Sequence, residues 1–184
     1  MKKRIDKKIM YSRYLACFLC VPTLMSMFLK WLKIVPIDNL KHTLVFLGFL
    51  ESDYTLFELY DFSKNYGNYI GVSIKSLIIT MGFIEIFSFV SILVLFFFLI
   101  IEKNKGIKIM GIVSFVLSST MFFAFTSSVH MLNSSVAEKV DSQCVQIARA
   151  TPWPYIMLVC SAFLLFACVF LSANSIDYVK DDEL

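Results

Sequence analysis

The chain has 184 residues, of which 58% are hydrophobic and 16% aromatic, and its net charge at pH 7 is +3. With a mean hydropathy of +0.74, it leaves no room for a separate soluble domain beside several membrane spans. It also lacks the dense basic face of a nucleic-acid-binding protein, so we expect no nucleic-acid partner. We predict a single integral membrane domain over residues 1–184.

Four long apolar stretches divide the chain, near residues 14–34, 76–101, 107–129 and 153–173. A spanning helix needs ~20 mostly apolar residues, and only helices and closed barrels satisfy their own backbone inside lipid. The sequence therefore predicts an all-α membrane protein with an antiparallel four-helix transmembrane bundle.

The first span is the least regular of the four. Pro22 lies in its middle, where the missing backbone N–H favours a kink. Lys30 and Lys33 near its outer end are expected to snorkel to the headgroups, and Trp31 between them is typical of an interfacial anchor. Pro36 is expected to end the helix.

The first outer loop, residues 35–75, is long for a structureless connection. It contains an apolar run at 44–50, strand-favouring residues at 54–60 and a turn signal at 65–68. We predict a small extracytoplasmic cap, either a short antiparallel β-sheet or a helix on the membrane surface. Its aromatic side chains form the candidate interaction surface: Phe57, Tyr60, Phe62 and Tyr66.

The short link 102–106 forces spans two and three to be antiparallel neighbours. The second outer loop, residues 130–152, has a helix-like middle around 135–147. Trp153 at the interface and Pro154 in the first helical turn then predict the start of span four.

The positions of Lys and Arg predict the orientation, because positive residues are retained on the cytoplasmic side during insertion. Basic residues crowd the segment before the first span and the 102–106 link, whereas those in the outer loops are spread over a greater length. We expect both termini and the link in the cytoplasm. The predicted location is the plasma membrane, in a multi-pass arrangement with membrane lipids around the bundle.

Glu85 is the charged residue deep inside a span. A bare carboxylate there costs a few kcal/mol, so it must be protonated, paired or facing water. One interpretation is a proton or ion site, or a docking point for a partner's basic group; the other is a protonated Glu hydrogen-bonded to a nearby Ser or Thr. Gly82 is expected to allow close approach of a neighbouring backbone. Residues at a similar depth form a candidate polar layer with Glu85: Thr23, Ser118, Ser119, Thr120 and Ser161.

Cysteine positions argue against redox catalysis. Four-span disulfide-generating quinone reductases need a C-x-x-C at the outer face and a second pair in the other loop. Here Cys17 and Cys20 fall in the inner half of span one, and Cys144 is the lone thiol of the second outer loop. Cys160 and Cys168, like the small residues around Gly111, suit helix packing. We expect no catalytic residue, no metal and no cofactor.

The layout resembles that of claudins and tetraspanins, with a large first outer loop, a short inner turn, a smaller second outer loop and cytoplasmic ends. The resemblance is to topology over the whole chain, since the first loop has neither Trp nor Cys and the second has Cys144 alone. The layout is similar to that of many small bacterial four-span proteins. The resemblance implies a left-handed bundle with an outer cap, a bacterial source and a role in contacts.

Three functions follow from these features. The first is a non-enzymatic scaffold or accessory subunit, with a protein partner or as a homo-oligomer, acting through helix contacts and the outer loop. The second is a small transporter or channel subunit with Glu85 as its titrating group. The third, which we rank last, is a membrane redox enzyme.

Overall fold

The computed structural model describes residues 7–35, 52–65, 72–102, 104–140 and 147–180. Within them, helices and strands follow in this order: α1 (Lys7–Met27), β1 (Lys30–Ile34), β2 (Ser52–Thr55), α2 (Leu56–Asn65), α3 (Val72–Ile100), α4 (Asn104–Val140), β3 (Ala148–Ala150) and α5 (Trp153–Lys180). Four helices, α1, α3, α4 and α5, are long and apolar enough to cross a membrane. They form the helical bundle that the four apolar stretches predict.

The buried side of each long helix follows a seven-residue repeat. Buried positions on α3 alternate between steps of four and three residues, which is the 3.5-residue period of left-handed helix packing. The same alternation recurs on α4 from Ile107 to Leu132 and on α5 from Met157 to Leu171. The repeat on α3 consists of Ile74, Ile78, Met81, Glu85, Ser88, Ile92, Leu95 and Leu99.

The outward faces of these helices are apolar as well. Phe18 on α1, Phe83 on α3 and Phe166 on α5 are 70%, 62% and 71% exposed. A helix that is hydrophobic all round is typical of a membrane span or of a large protein core. The exposed apolar faces are therefore compatible with helices that are long and apolar enough to cross a membrane.

A three-stranded antiparallel sheet lies at one end of the bundle, which we call the sheet end. Its strand order is β2-β1-β3, with β1 in the centre. Lys33 on β1 lies opposite Asp53 on β2 and Arg149 on β3, and the register shifts between Lys30 and Leu32. The sheet thus joins the two loops that the sequence places on the same side.

The sheet is attached to every long helix. β1 follows α1 directly, β3 leads into α5, and β2 continues into α2, which packs on α3. On α4, the side-chain amide of Asn133 donates to the Ala148 carbonyl and accepts from the Ala148 N–H, both at 2.9 Å. Thr151 extends the pairing through its N–H, which donates to the Trp31 carbonyl at 2.8 Å. The four helices are therefore held together at this end by hydrogen bonds as well as by packing.

The expectation for the end of span one is wrong. The helix ends at Met27, and Lys30–Ile34 is the central strand instead of the last turn of a span. Trp31 is fully buried: its Nε1–H donates to the Ser26 carbonyl at 2.6 Å, and its ring meets Phe125 edge-on at 5.2 Å. It is a core residue beneath the sheet and not an interfacial anchor.

The predicted cap contains both of the proposed alternatives, a sheet and a helix. Residues 54–60, expected to form a strand, divide at Thr55 because Thr55 and Glu58 form a capping box that starts α2. The Thr55 N–H donates to Glu58 Oε2 at 2.7 Å, and the Glu58 N–H donates to Thr55 Oγ1 at 3.3 Å. The apolar run at 44–50, the end of the 65–68 turn and Pro36 lie outside the described residues.

Two helix bounds also differ from the predicted spans. Helix α3 begins at Val72, four residues before the predicted start, and α4 continues to Val140, well past 129. The helix-like middle expected at 135–147 is thus partly the continuation of α4. The last turns of α4 remain helical because Leu132 and Val136 are buried. These two residues extend the packed face of α4 beyond the apolar stretch.

The opposite end of the bundle, the turn end, holds the tight connection between α3 and α4. Ile101 and Glu102 form the turn, and Glu102 has a positive φ of 60°. Its carboxylate forms an ion pair with Arg13 on α1. The connection therefore fastens α1 to the α3–α4 hairpin at this end.

Candidate functional site

Glu85 lies in the packed face of α3, between Met81 and Ser88 in the seven-residue repeat. It is only 2% exposed, and its Oε1 has no hydrogen-bond partner in the described part of the chain. The three serines Ser88, Ser118 and Ser119 likewise have buried Oγ atoms for which these residues supply no partner. Glu85 and these three serines thus have buried polar atoms that the described residues leave without hydrogen bonds.

Two contacts set the register of α3 against α4. Ser91 Oγ lies 3.0 Å from Ser114 Oγ, and Ser128 Oγ lies 3.8 Å from Met81 Sδ, near the sheet end. Because the two helices are antiparallel, residue numbers that increase along α3 face residue numbers that decrease along α4. Glu85 is therefore level with the segment of α4 between Met121 and Phe125, both apolar and buried. This register explains why α4 offers the carboxyl no hydroxyl.

The candidate polar layer is only partly assembled around Glu85. Thr23, Ser118 and Ser161 are buried in the bundle, whereas Ser119 is half-buried and Thr120 lies on the exposed face of α4. Side-chain hydroxyls on helices commonly bond the carbonyl one turn earlier. Three of the candidates do so: Thr23 to Leu19 at 2.8 Å, Ser161 to Leu158 at 2.8 Å and Thr120 to Val116 at 2.8 Å.

The candidate polar layer predicted from sequence leaves out several buried serines. Ser26, Ser88, Ser91, Ser114 and Ser128 are all buried in the bundle. These serines share a position in or next to the seven-residue repeat of buried positions. The polar layer is predicted from the depth of each residue along its span, which does not show this repeat. For that reason it omits Ser91 and Ser114, whose hydroxyl groups meet between α3 and α4.

A cavity of about 230 Å³ adjoins Glu85. One side is a continuous stretch of α3, and the sheet end is closed by the first residues of α2. The full lining is Leu56, Phe57, Ile78, Ile79, Gly82, Phe83, Glu85 and Ile86. Glu85 is the charged member of this lining, and the remaining walls are apolar. We call this cavity the Glu85 pocket.

The expected close approach at Gly82 is wrong. A Cβ placed on Gly82 would meet nothing within 4 Å, so the glycine leaves an open notch in the wall of the Glu85 pocket. Close approach occurs instead at Gly111, where a Cβ would lie 2.8 Å from Cys168 Cβ. Gly111 therefore serves the contact between α4 and α5, whereas Ser114 contacts Ser91 of α3.

Three aromatic rings lie beside the Glu85 pocket at the sheet end. Phe28, just after α1, stacks on Phe57 of α2 with ring centroids 5.7 Å apart. Phe28 also meets Phe89 of α3 edge-on at 5.8 Å. The contact between α1 and α3 is the least extensive among neighbouring long helices, and these rings bridge it.

The candidate interaction surface lies largely on α2. Phe57 is 51% exposed despite its stacking on Phe28. Tyr60 and Phe62 belong to the same helix, and Tyr66 lies outside the described residues.

The thiols are dispersed through the bundle. Cys20 and Cys168 are buried, Cys17 and Cys160 are half-buried, and all four are free. Cys168 packs on Gly111, in keeping with a packing role. The described residues contain no group of three or more His, Cys, Asp and Glu side chains that could hold a metal ion. Cys144 lies outside this part of the chain.

The chain was compared with known proteins at the levels of family, sequence and structure. No protein family matches it, and no curated protein or solved structure is significantly similar. Function must therefore be argued from the geometry of the bundle, the sheet and the Glu85 pocket.

Proposed function

We propose that the protein is a non-enzymatic scaffold or accessory subunit of the plasma membrane, which acts through lateral helix contacts and through its sheet-end cap. The observation that carries the proposal is the attachment of the sheet to all four long helices. Such a sheet fixes the cap rigidly to the bundle. A rigid cap can present α2 to a partner without the entropy loss of ordering a loop on binding.

The cap offers a surface suited to protein contact. Phe57 is half exposed and is held in place by its stacking on Phe28. Aromatic side chains on a fixed frame are common anchors of protein interfaces because they bury a large area with few rotatable bonds. The acidic Glu58 and Asp61 lie exposed on the same helix and would form the polar rim of such an interface.

The proposed orientation places the sheet end outside the cell and both termini in the cytoplasm. The crowded basic residues at the start of the chain and at the α3–α4 connection support it, since positive residues remain on the cytoplasmic side. The claudin-like layout, in which both ends are cytoplasmic, supports it as well. We further propose a bacterial source, with membrane lipids and a protein partner or a second copy as neighbours.

Site-specific photocrosslinking at native expression levels tests this function. A photoreactive amino acid at Phe57 should give a discrete protein adduct, whereas the same amino acid at Phe166, on the exposed face of α5, should label chiefly lipid. Gentle detergent extraction should then recover the protein together with the partner found in the adduct. Recovery as a partner-free monomer, with no protein adduct at either position, would count decisively against a scaffold.

The second candidate function is a small transporter or channel subunit in which Glu85 titrates. Oε1, for which the described residues supply no hydrogen bond, favours it, because a buried acid with a free acceptor can exchange protons or ions. Flux into proteoliposomes should then fall sharply in Glu85→Gln, which keeps the shape but removes the ionisable group. Absence of flux, or flux that Glu85→Gln leaves unchanged, would remove this candidate.

A further inference from the structure

The Glu85 pocket adjoins a hydrogen-bond acceptor that the described residues leave unsatisfied; Oε1 of Glu85 is itself buried, and a rotation of the side chain would bring it to the pocket surface. Glu85 is 2% exposed, and its Oε1 has no partner in the described residues, although the side chain lines a cavity of about 230 Å³. A buried polar atom without a partner costs about 1–3 kcal/mol, and a charged one costs more. A native protein retains such a group where an occupant outside the chain supplies the missing bond.

The pocket is reached from the side of the bundle. Leu56 and Phe57 close it at the sheet end, and Gly82 opens its wall on a helix face that continues into the exposed Phe83 and Ile86. From Ile78 to Glu85 the pocket runs about 10 Å along α3. An occupant would therefore arrive within the plane of the bilayer, with its long axis along the helix.

The two most abundant occupants fit poorly. Acyl chains match the apolar walls but bring no hydrogen-bond donor to Oε1. A water molecule brings the donor, yet an ordered buried water needs two to four polar partners, and Glu85 is the polar side chain in this lining. The pocket therefore fits a molecule that combines an apolar tail with one donor.

We propose that the Glu85 pocket binds a membrane lipid or other lipid-soluble molecule that carries a free hydroxyl group. The hydroxyl donates to the Glu85 carboxyl, and the apolar tail lies along Ile79, Gly82 and Ile86. The volume is at the small end for ligand sites, so the remainder of the tail extends through the open side into the bilayer. The hydroxyl group, and not the tail, then determines which membrane molecules the pocket prefers to bind.

A partner's transmembrane helix fits the pocket less well. A straight helix alongside α3 would have to pass α2, whose Leu56 and Phe57 occupy the sheet end of the pocket. A second copy of this chain would bring no Lys or Arg at this depth, because its apolar stretches carry basic residues only near their ends. A slender tail with a hydroxyl meets neither obstacle.

Photoaffinity labelling in phosphatidylcholine nanodiscs tests the proposal. The probes are a long-chain alkanol with a diazirine in its tail and the methyl ether of the same alkanol, which cannot donate a hydrogen bond. The alkanol should label residues 78–86 about tenfold more than the ether does, as one hydrogen bond to a carboxyl predicts. Labelled sites are mapped by peptide mass spectrometry.

Three variants and one control sharpen the test. Gly82→Leu, whose side chain enters open space, and Glu85→Leu should each reduce alkanol labelling about tenfold. Glu85→Gln retains a carbonyl acceptor and should stay within about threefold of the parent, although it would abolish titration-dependent transport. Val159→Leu, on the exposed face of α5, should change nothing.

Equal labelling by alkanol and ether, or label spread evenly over all exposed helix faces, would overturn the proposal in favour of ordinary lipid contact. A protein crosslink from a photoreactive amino acid at the exposed Phe83, formed in native membranes, would overturn it in favour of a partner helix. If Glu85→Leu does not fold, Gly82→Leu still decides the matter, because it leaves the carboxyl in place. The scaffold proposal is tested separately at Phe57 and does not depend on this result.

Discussion

Gly82 and Gly111 are glycines on neighbouring helices with opposite surroundings. A Cβ on Gly111 would lie 2.8 Å from Cys168 Cβ, whereas a Cβ on Gly82 would meet nothing within 4 Å. Sequence spacing cannot separate them, because each lies among small and apolar residues of a span. The difference arises from which neighbour faces each position in the packed bundle.

Gly111→Ala should therefore destabilise the bundle by about 1–3 kcal/mol, the usual cost of an extra methyl in a packed core. Thermal unfolding in mild detergent measures it, with Gly82→Ala as the matched control that should lose no stability. Cys168→Gly removes the clashing atoms, so Gly111→Ala should cost much less in a Cys168→Gly background than in the parent, as a double-mutant cycle measures. Equal stability of the two single variants would show that α4 and α5 are not in close contact at Gly111.

Asn133 is the residue through which α4 holds the sheet. Its amide makes two 2.9 Å hydrogen bonds with the backbone of Ala148, one as donor and one as acceptor. Asn133→Ala removes both and leaves two backbone groups of the buried Ala148 without this partner, so we expect a loss of about 1–3 kcal/mol.

Asn133→Asp is the matched variant, because it keeps the acceptor for the Ala148 N–H but turns a carboxylate oxygen toward the Ala148 carbonyl, which repels it. It should lose at least as much stability as Asn133→Ala in the same unfolding experiment, yet protect the Ala148 amide better. Hydrogen exchange of the Ala148 amide should quicken in Asn133→Ala before exchange elsewhere in β3. A loss of stability with no change at Ala148 would contradict the clamp.

At the scale of whole elements, the four long helices are predictable from sequence because each needs only a long apolar stretch. The strand β1 is not, since a short apolar segment at the end of a span reads equally as helix or strand. Two contacts between residues far apart in sequence favour the strand: Trp31 is buried against Phe125, and β1 pairs with β3. The Glu85 pocket is equally hidden, because its lining comes from two helices.

The start of α2 is an element-scale feature that the sequence does contain. Thr55 and Glu58 stand three residues apart before an apolar position, which is the pattern of a capping box. Thr55→Ala should cost about 1 kcal/mol and fray the first turn of α2.

Hydrogen exchange of the Glu58 amide measures this fraying, because that N–H donates to Thr55 Oγ1. Thr55→Ser retains the hydroxyl and is the matched control, which should leave the exchange rate close to that of the parent. Because α2 carries Phe57, the Thr55→Ala variant should also give a weaker photocrosslink from position 57. Unchanged exchange at Glu58 would show that packing on α3, and not the capping box, holds the helix start.

At the scale of the whole molecule, the sheet has a consequence for sidedness. β1 lies between α1 and α3, and β3 lies between α4 and α5, so if the four long helices cross a membrane, pairing of the two strands requires both connections on one side of it. An even number of crossings between them, through α3 and α4, meets that requirement. The orientation that we propose from the charge distribution places that side outside the cell, so pairing and orientation can be tested in a single experiment.

Lys33→Cys combined with Arg149→Cys, in a Cys144→Ser background, should form a disulfide in intact cells without added oxidant. The two positions are exposed and directly opposite in the antiparallel register, within reach of a disulfide, and extracytoplasmic compartments are oxidising. Lys30→Cys with Arg149→Cys is the control, since three residues along β1 add about 10 Å. Unreduced peptide mapping detects the link. A disulfide that forms only after oxidant is added to isolated membranes would keep the sheet and reverse its sidedness, whereas no disulfide under either condition would contradict the sheet itself.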